Sequence, residues 1–289
     1  MKHKIITFGE LMLRLSPDNN ERFTQAHSYE AVYGGGEANT AVSLANFNVD
    51  TRYVTKLPKH TIGQSAVNSL RQYGVDVSRI VRGGDQIGIY FLEKKTSQRP
   101  TNVIYNRNGS AFALATKEDF DWDSIFDGAT WFHFSGITPA ISDNMAEITI
   151  EACKEAKKRG ITVSCDLNYR SKLWSSEKAN KVMSEVCRYV DICIANEDDA
   201  VGIFGMDASK SDKEKNAYIA EELTKMFPNF KMVASVWRTE TSITTFKLQS
   251  MIYTEGKAYY SQEFFMNILD YIGAGDAYCA GTVSYTHLT

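Results

Sequence analysis

Residues 143–166 read DNMAEITIEACKEAKKRGITVSCD. Apolar residues recur at helical spacing from Asp143 to Arg159, and Gly160 is a typical residue to end such a helix. The mostly apolar run at 161–166 is typical of a strand that is buried on both faces. A helix that leads directly into a buried strand is the repeating unit of a parallel sheet, so this stretch predicts an α/β architecture.

The same alternation continues on both sides of this stretch. Strands are predicted at 5–8, 53–55, 131–135, 192–195 and 232–235, and helices at 38–47, 64–73, 178–189 and 215–226. This order predicts a mostly parallel sheet with helices on both faces. We find no linker or internal repeat in the sequence, and we therefore expect one domain over residues 1–289.

One part of the chain departs from this alternation. Residues 88–93 and 102–107 have the pattern of two strands joined by a polar turn around 96–99, and residues 11–15 also alternate as a strand would. We predict a small antiparallel sheet that projects from the α/β body, within about 11–33 and 86–113. An insertion of this kind is a candidate lid.

Composition excludes several classes of protein. The 32 Lys and Arg residues against 35 Asp and Glu give a net charge of −3, which argues against a nucleic-acid-binding protein. No apolar run approaches the roughly 18 residues of a membrane span, and the N-terminal run is too short for a signal peptide. The five cysteines include no CxxC pair, which indicates reduced thiols in a cytoplasm and excludes a disulfide scaffold or a zinc module.

The sharpest local feature is Gly273-Ala274-Gly275-Asp276, just before a stretch that has the composition of a helix start. Unpaired N–H groups at a helix N-terminus suit phosphate oxygens, and glycines let the ligand approach the backbone. Asp276 would stand in the first turn, where its carboxylate is able to accept a proton from a hydroxyl. The alternative interpretation is a tight turn in which Asp276 only caps the helix.

A glycine run, Gly34-Gly35-Gly36, precedes the predicted helix that contains Asn39. It does not match the GxGxxG pattern, and Tyr53-Val54-Thr55 stands where a dinucleotide-binding fold needs an acidic residue. Taken alone, the run favours a strand-to-helix turn over a binding site.

Polar residues also follow two predicted strands. Asp166, Asn168 and Arg170 come at the carboxyl end of a buried strand, which is where open α/β sheets bind ligands. The alternative is that Arg170 only pairs with Asp166. The run Asn196-Glu197-Asp198-Asp199 either influences Mg²⁺ or forms the charged first turn of a helix, and its local sequence favours the helix.

On the predicted lid, Tyr105 and Arg107 share a face by period two, and Tyr90 lies on the neighbouring strand. Arg107 and Arg170 together would suit a carboxylate or a polyol. His133 lies in a buried-type strand and is interpreted as a core histidine and not as a base.

These features occur in one order along the chain: Gly35-Gly36-x-x-Asn39, Asp166-x-Asn168-x-Arg170, Asn196-x-x-Asp199 and Gly273-Ala274-Gly275-Asp276. The set resembles the ribokinase-like (PfkB) carbohydrate kinases from Lys4 to Gly281. Within that family, residues 9–17, 132–137, 166–174 and 235–238 are most similar to 2-keto-3-deoxygluconate kinases. The resemblance implies a three-layer α/β/α sandwich and ATP-dependent phosphorylation of 2-dehydro-3-deoxy-D-gluconate at its C6 hydroxyl, which yields the 6-phosphate of the Entner–Doudoroff route.

The resemblance also implies a role for each matching residue. Asp276 would be the general base, and the N–H groups of Gly273, Ala274 and Gly275 would hold the transferring phosphate. The sugar-acid pocket would be lined by Gly35, Asn39, Tyr90, Tyr105, Arg107 and Arg170. Asn196 and Asp199 would organise Mg²⁺, partly through water, while Ser235 and Arg238, with Gly273 and Gly275, would lie near the nucleotide. The partners implied are a small sugar acid, ATP and a second copy of the chain bound through the lid, as a homodimer or larger homo-oligomer.

Three departures from the family pattern remain. Asp199 stands where Glu is usual, Tyr271 follows Asp270 where a smaller, polar or basic residue is usual, and residues 283–289 lack the expected helical pattern. We therefore expect a chain that is truncated at its C-terminus. The alternatives are another sugar kinase of the fructokinase or ribokinase type, or a sugar-acid-binding fragment with impaired catalysis; a dehydrogenase is a more distant alternative.

Overall fold

The structure is a computed structural model that describes residues 3–96, 99–207, 209, 212–242, 245–267 and 272–285. The strands are β1 (Lys4–Phe8), β2 (Met12–Pro17), β3 (Tyr29–Gly34), β4 (Asp50–Val54), β5 (Lys56–Leu57), β6 (Val81–Arg82), β7 (Ile89–Glu93), β8 (Asn102–Asn106), β9 (Trp131–Ser135), β10 (Thr162–Asp166), β11 (Ile192–Ile194), β12 (Met232–Glu240), β13 (Thr245–Thr254), β14 (Lys257–Tyr260) and β15 (Phe264–Asn267). The helices are α1 (Gly36–Asn46), α2 (Thr61–Arg71), α3 (Trp122–Ile125), α4 (Ile137–Ala140), α5 (Asp143–Lys158), α6 (Ser176–Val186), α7 (Glu197–Phe204), α8 (Asp212–Met226) and α9 (Ala274–Tyr285). Asp270 and Tyr271 lie outside the described residues.

The central sheet has the order β14-β13-β12-β11-β10-β9-β1-β4, and β15 pairs with β13. The strands from β4 to β12 along this order pair in parallel, whereas β13, β14 and β15 pair antiparallel. Parallel neighbours require a crossover connection, and helices supply it. The predicted mostly parallel α/β sheet is therefore confirmed.

Successive residues of the central strands point to opposite faces, which separates two apolar layers. Ile5 packs with Leu44 of α1 and Ala280 of α9 on one face. Ile6 packs on the other face, in the large core that includes Met145 of α5 and helices α6 to α8. The sheet is thus covered by helices on both sides, as the sequence predicts.

Local capping explains why α5 begins at the predicted Asp143 and ends at Lys158, one residue before the predicted end. The Oγ of Ser142 accepts a hydrogen bond from the N–H of Met145 at 3.2 Å, which satisfies one free donor at the helix start. After the helix, Gly160 has a φ of 70°, in the left-handed region that favours glycine. The strand β10 follows at once and pairs with β9 and β11.

A second sheet has the order β3-β2-β7-β8, and we call these four strands the lid sheet. The pairs β2–β3 and β7–β8 are antiparallel, but β2 and β7 run parallel. The sequence prediction of a wholly antiparallel sheet was wrong at this pair. The reason is that α1, β4 and α2 separate β2 from β7, and so long a connection allows a parallel return.

The antiparallel extension formed by β12, β13, β14 and β15 was not predicted. Strand β12 runs to Glu240 and not only to Ser235, and its last three residues are exposed. An exposed strand lacks the apolar run by which the buried strands were identified. Within the described residues, no helix has the length and apolar character needed to cross a membrane.

Candidate active site

The carboxyl ends of β1, β9, β10 and β11 lie at one edge of the central sheet, because these strands are parallel neighbours. The start of α1 is held against this edge by close backbone packing. A Cβ at Gly35 would lie 2.1 Å from the carbonyl oxygen of Glu10, so only glycine fits there. The glycine run therefore has a structural reason, and it places Asn39 beside the end of β1.

The start of α9 lies against the start of α1. Gly273 has a φ of 81° and precedes the helix, and the N–H of Ala277 donates to its carbonyl oxygen at 2.8 Å. Asp276 is therefore in the first turn of α9, as predicted, and the first N–H groups of the helix have no intrahelical acceptor. The Nδ2 of Asn39 donates to Oδ2 of Asp276 at 2.7 Å, which joins the two helix starts.

The surroundings of Asp276 make its carboxylate more basic than an ordinary aspartate. Burial raises the pKa of Asp276 to about 6, and the nearby carboxyl of Glu37 acts in the same direction. The hydrogen bond from Asn39 and the charge of Arg170 oppose this rise. Asp276 is thus ionised at neutral pH and has a pKa close to the range that suits a general base.

Glu37 is a buried carboxyl beneath this site. Its Oε1 accepts hydrogen bonds from the N–H and Oγ of Ser135, at 2.9 and 2.7 Å, and from Oγ1 of Thr138 at 2.8 Å. Burial raises the pKa of Glu37. These contacts tie the first turn of α1 to the end of β9 and to α4, so they fix the position of Asn39 relative to the sheet.

A cavity of about 540 Å³ lies between the lid sheet and the two helix starts. Its lining includes Arg14, Gly34, Asn39, Tyr90 and Gly273. A Cβ at Gly34 would lie 3.7 Å from the Tyr90 hydroxyl and 3.5 Å from Oδ1 of Asn39, so these polar groups face the same space. The cavity has the volume of a small-molecule site and reaches the hydrogen-bond partner of Asp276.

The structure brings the predicted lid residues together but gives them different surroundings. Tyr90 and Tyr105 are cross-strand neighbours, with ring centroids 5.8 Å apart. Arg107 stacks on the Tyr105 ring at 5.7 Å, which fits the predicted shared face. Arg107 is, however, only 5% exposed, and its Nε donates to Oε2 of Glu10 at 2.7 Å. Its charge is therefore already paired inside the protein.

Asp166 and Arg170 are separated in the structure. Asp166 is buried, and its Oδ2 accepts a hydrogen bond from Nδ2 of Asn168 at 3.0 Å and not from a described arginine. Burial raises the pKa of Asp166, and the carboxylates of Asp199 and Asp276 raise it further. Arg170 is exposed, and its charge lowers the pKa of both Asp199 and Asp276. The structure therefore contains no ion pair between Arg170 and Asp166, and that alternative was wrong.

Asp199 caps the helix α7. Its Oδ1 accepts a hydrogen bond from the N–H of Tyr169 at 2.7 Å, and its Oδ2 accepts one from the N–H of Asn196 at 2.9 Å. Both oxygens therefore accept main-chain hydrogen bonds, which favours the role of a helix cap over direct coordination of a metal ion. Among the described residues, no group of three or more His, Cys, Asp and Glu side chains is arranged to hold a metal.

The predicted nucleotide-side residues lie on β12. The Oγ of Ser235 is buried and donates to the carbonyl oxygen of Ala195 at 2.8 Å, while its own carbonyl oxygen accepts from the Tyr278 hydroxyl at 3.1 Å. Arg238 is exposed, three residues further along the strand. Ser235 thus links β11, β12 and α9, and the Arg238 side chain is open to solvent.

Two residues of the site were not found from the sequence. Glu10 lies in the stretch 9–17, and its pairing with Arg107 joins residues 97 positions apart, so no local pattern indicates it. Arg14 lines the cavity, and its signal was a single charge inside the otherwise apolar alternation of Met12 to Leu15. His133, by contrast, is buried and hydrogen-bonded to Oγ of Ser164 at 2.8 Å, as a core histidine should be.

Comparison with known proteins agrees with this geometry. The family model described as pfkB family carbohydrate kinase matches residues 2–285. The chain is 33% identical over 287 residues to the 2-dehydro-3-deoxygalactonokinase of Haloferax volcanii. The aligned region covers 98% of this chain and 84% of that protein.

Solved structures show the same likeness. The 2-dehydro-3-deoxygluconokinase of Thermotoga maritima aligns with a TM-score of 0.95 and 44% identity, over 100% of this chain and 87% of that one. A PfkB family carbohydrate kinase from Listeria grayi aligns with a TM-score of 0.91 and 34% identity, over 98% of this chain and 87% of that one. The resemblance inferred from the motifs is therefore confirmed at the level of family and fold.

Proposed function

Because this chain belongs to the pfkB family of carbohydrate kinases, we propose that it uses ATP to phosphorylate the C6 hydroxyl of 2-dehydro-3-deoxy-D-gluconate. The observation that carries the proposal is Asp276, a carboxylate of raised pKa in the first turn of α9, beside a cavity of about 540 Å³. A base next to a helix N-terminus suits the transfer of a phosphoryl group to a hydroxyl.

In the proposed reaction, Asp276 accepts the proton of the C6 hydroxyl as that oxygen attacks the γ-phosphorus of ATP. A new P–O bond forms to the sugar oxygen, the bond to the β–γ bridging oxygen breaks, and ADP leaves. The N–H groups of Gly273, Ala274 and Gly275 would stabilise the negative charge of the transferring group, since the first donors of α9 have no intrahelical acceptor. No covalent enzyme intermediate is needed.

We assign the sugar acid to the cavity beneath the lid sheet. Gly35, Asn39, Tyr90 and Tyr105 would position its hydroxyls, and Arg170 would contribute positive charge from the edge of β10. Arg107 is assigned to this pocket together with Glu10, so it would act through its stacking on Tyr105 and its donors and not as an unpaired charge. Closure of the lid sheet over the substrate would exclude water from the phosphoryl transfer.

We assign the nucleotide to the side of α9 that faces β12, where Ser235 and Arg238 lie. The Mg²⁺ ion is proposed to arrive as part of the ATP complex, with Asn196 and Asp199 acting at most through water, because both oxygens of Asp199 accept main-chain hydrogen bonds. The five cysteines are free and buried, which supports a cytoplasmic location for this reaction.

A second substrate, 2-dehydro-3-deoxy-D-galactonate, is favoured by the name of the Haloferax relative. The two sugar acids differ in configuration at a single carbon. The gluconate is preferred here because the Thermotoga 2-dehydro-3-deoxygluconokinase is 44% identical, compared with 33% for the galactonokinase. A neutral sugar such as fructose is disfavoured by the positive charge that Arg170 would contribute to the site.

The test is a coupled assay of ADP release with both keto-deoxy sugar acids, fructose and ribose, followed by identification of the phosphorylated carbon. We expect the highest kcat/KM with the gluconate and phosphate at C6. A higher value with the galactonate would reverse the choice between the two acids. A preference for fructose or ribose would overturn the sugar-acid assignment, and ligand-induced stabilisation without turnover of any substrate would indicate a binding protein.

We also propose that the lid sheet pairs with a second copy of the chain. Ile104 and Tyr105 are 51% and 47% exposed on β8, which is an edge strand of this sheet. Phe91 does not contribute, because it packs against Phe23 and Tyr29 of its own chain. Light scattering should therefore give a homodimer or larger assembly for the parent protein and a smaller species for Ile104→Ser; a monomeric parent protein would contradict the proposal.

A further inference from the structure

Arg14 lies in the middle of the lid sheet, on the face that lines the cavity. It is the register partner of Val32 on β3 and of Tyr90 on β7, and Tyr90 is in turn paired with Tyr105 on β8. Directly paired residues project from the same side of a sheet. Arg14, Tyr90 and Tyr105 therefore form one row, with Tyr90 between the arginine and Tyr105.

The guanidinium of Arg14 has unused hydrogen-bonding capacity. Its Nε is buried and has no hydrogen-bond partner among the described residues, and no ion pair joins Arg14 to a carboxylate in that part of the chain. A buried donor without an acceptor is costly, so native proteins rarely keep one without a reason. Arg14 also lines the cavity, so a ligand there would place acceptors beside this side chain.

Arg107 also has a buried donor without a hydrogen-bond partner, at Nη2, so Arg14 differs from the other candidate arginines in its position and its ion pairing. Arg107 forms an ion pair with Glu10, and Arg170 is exposed and is not among the residues that line the cavity. Arg14 is half-buried, lines the cavity and has no ion pair with a carboxylate of the described residues. Of Arg14, Arg107 and Arg170, Arg14 is therefore the arginine best placed to bind an incoming anion.

The residues around Tyr90 indicate how a ligand would lie in the cavity. The charges of both Arg14 and Asp276 act on the Tyr90 phenol, whose hydroxyl faces the same space as the Asn39 amide. Arg14, Tyr90 and Asn39 line the same cavity, and Asn39 is the hydrogen-bond partner of Asp276. A ligand that fills this cavity and presents a hydroxyl to Asp276 therefore shares the cavity with Arg14.

We propose that Arg14 binds the carboxylate of the sugar acid and thereby selects an anionic substrate over a neutral sugar. A planar guanidinium matches a carboxylate through paired N–H donors, which a lysine ammonium does not reproduce. The assignment rests on the proposed function, because it requires the substrate to be a sugar acid. It replaces Arg107 as the main source of charge selectivity.

The experiment compares Arg14→Gln and Arg14→Lys with the parent protein on two substrates, 2-dehydro-3-deoxy-D-gluconate and 3-deoxy-D-fructose, in which CH₂OH replaces the carboxylate. Arg22→Gln is the matched control, because Arg22 is an exposed arginine outside the lid-sheet strands. Loss of a charge-assisted contact should lower kcat/KM for the acid by about 10- to 100-fold in Arg14→Gln. The neutral analogue should change by less than about threefold, and Arg14→Lys should recover only part of the loss.

Binding of the acid without ATP, measured by calorimetry, provides a second readout that does not require turnover. Weaker binding in Arg14→Gln, with an unchanged melting temperature, supports the assignment. Equal losses for the acid and the neutral analogue would overturn it and indicate a positioning role for Tyr90. If the parent protein neither binds nor phosphorylates either keto-deoxy acid, the proposed function fails as well; if it does and Arg14→Gln is unaffected, only the role of Arg14 fails.

Discussion

Asp276 and Asp199 stand in the first turns of two helices, α9 and α7, near the same edge of the central sheet. Burial raises the pKa of both carboxyl groups. Their hydrogen bonds differ, however. Both oxygens of Asp199 accept main-chain N–H groups, at 2.7 and 2.9 Å, whereas Asp276 accepts one side-chain hydrogen bond, from Asn39, and its Oδ1 has no donor among the described residues.

This difference separates a structural carboxylate from one that is available for chemistry. Lone pairs that are filled by fixed main-chain donors hold a helix start and a loop in place. An oxygen that is not engaged, beside a cavity and near a helix N-terminus, is able to accept a proton from a bound hydroxyl. The sequence context alone does not distinguish the two, because both are acids just inside a helix.

The largest effect is expected for Asp276→Asn. The amide still accepts the hydrogen bond from Asn39 but is not a base, so turnover should fall by about 10²- to 10⁴-fold while sugar-acid binding is largely kept. Because burial raises the pKa of Asp276 above its unfolded value, its ionised form costs folding free energy at neutral pH. The melting temperature of the variant should therefore be unchanged or higher. Steady-state kinetics, calorimetry and thermal denaturation measure the three quantities, and activity within about threefold of the parent protein would exclude the assigned role.

Asp199→Asn should instead lower the stability of the protein and change its turnover little. One of the two main-chain donors would face the amide NH₂, so the free energy of unfolding should fall by about 1–3 kcal/mol. Turnover per folded molecule should change by less than about tenfold, since positioning effects on the neighbouring site are indirect. Urea denaturation and kinetics provide the comparison, with Asp198→Asn as the exposed matched control. A large loss of turnover that excess Mg²⁺ relieves, with normal stability, would instead assign Asp199 to the metal.

The same comparison shows what the sequence was able to predict. The hydrogen bond from Asn196 to Asp199 joins residues three positions apart, and the helix-start interpretation anticipated it, whereas the one from Tyr169 joins residues 30 positions apart and was not predicted. The first turn of α9 was also predictable, because glycines and a following acid mark a helix start. The pairing of Glu10 with Arg107 joins residues 97 positions apart, and no local pattern indicates it. Its consequence, that Arg107 is not a free charge, required the three-dimensional structure.

Strand prediction had a similar limit. The buried strands β9 and β10 were identified from apolar runs, and β9 has the predicted bounds. Strands β13 to β15 are mostly half-exposed or exposed, with polar residues throughout, so their pairing with β12 depends on contacts that periodicity does not report. The part of the fold that positions the candidate base is thus the more predictable part.

The pH dependence of kcat/KM should separate the two carboxylates further. The base must be ionised, and the pKa of Asp276 is raised to about 6, so activity should fall about tenfold per pH unit below pH 6 and be level above it. Asp199→Asn should keep this acid limb, because its carboxylate does not take the proton. The residual activity of Asp276→Asn should lack the limb. A profile that is level down to pH 4 in the parent protein would contradict the assignment of Asp276 as the base.

The smallest effect is expected for Asn39→Leu, which removes the hydrogen bond that lowers the pKa of Asp276. Without that donor the ionised carboxylate is less stable, so the acid limb should move to higher pH by about one unit. Thr40→Val is the matched control, because Thr40 Oγ1 donates to the main-chain carbonyl oxygen of Asp276, at 3.3 Å, and not to its carboxylate. The control should leave the limb in place. If Asn39→Leu lowers kcat/KM equally at every pH, Asn39 acts on the substrate alone. The pKa of Asp276 would then not depend on the hydrogen bond from Asn39.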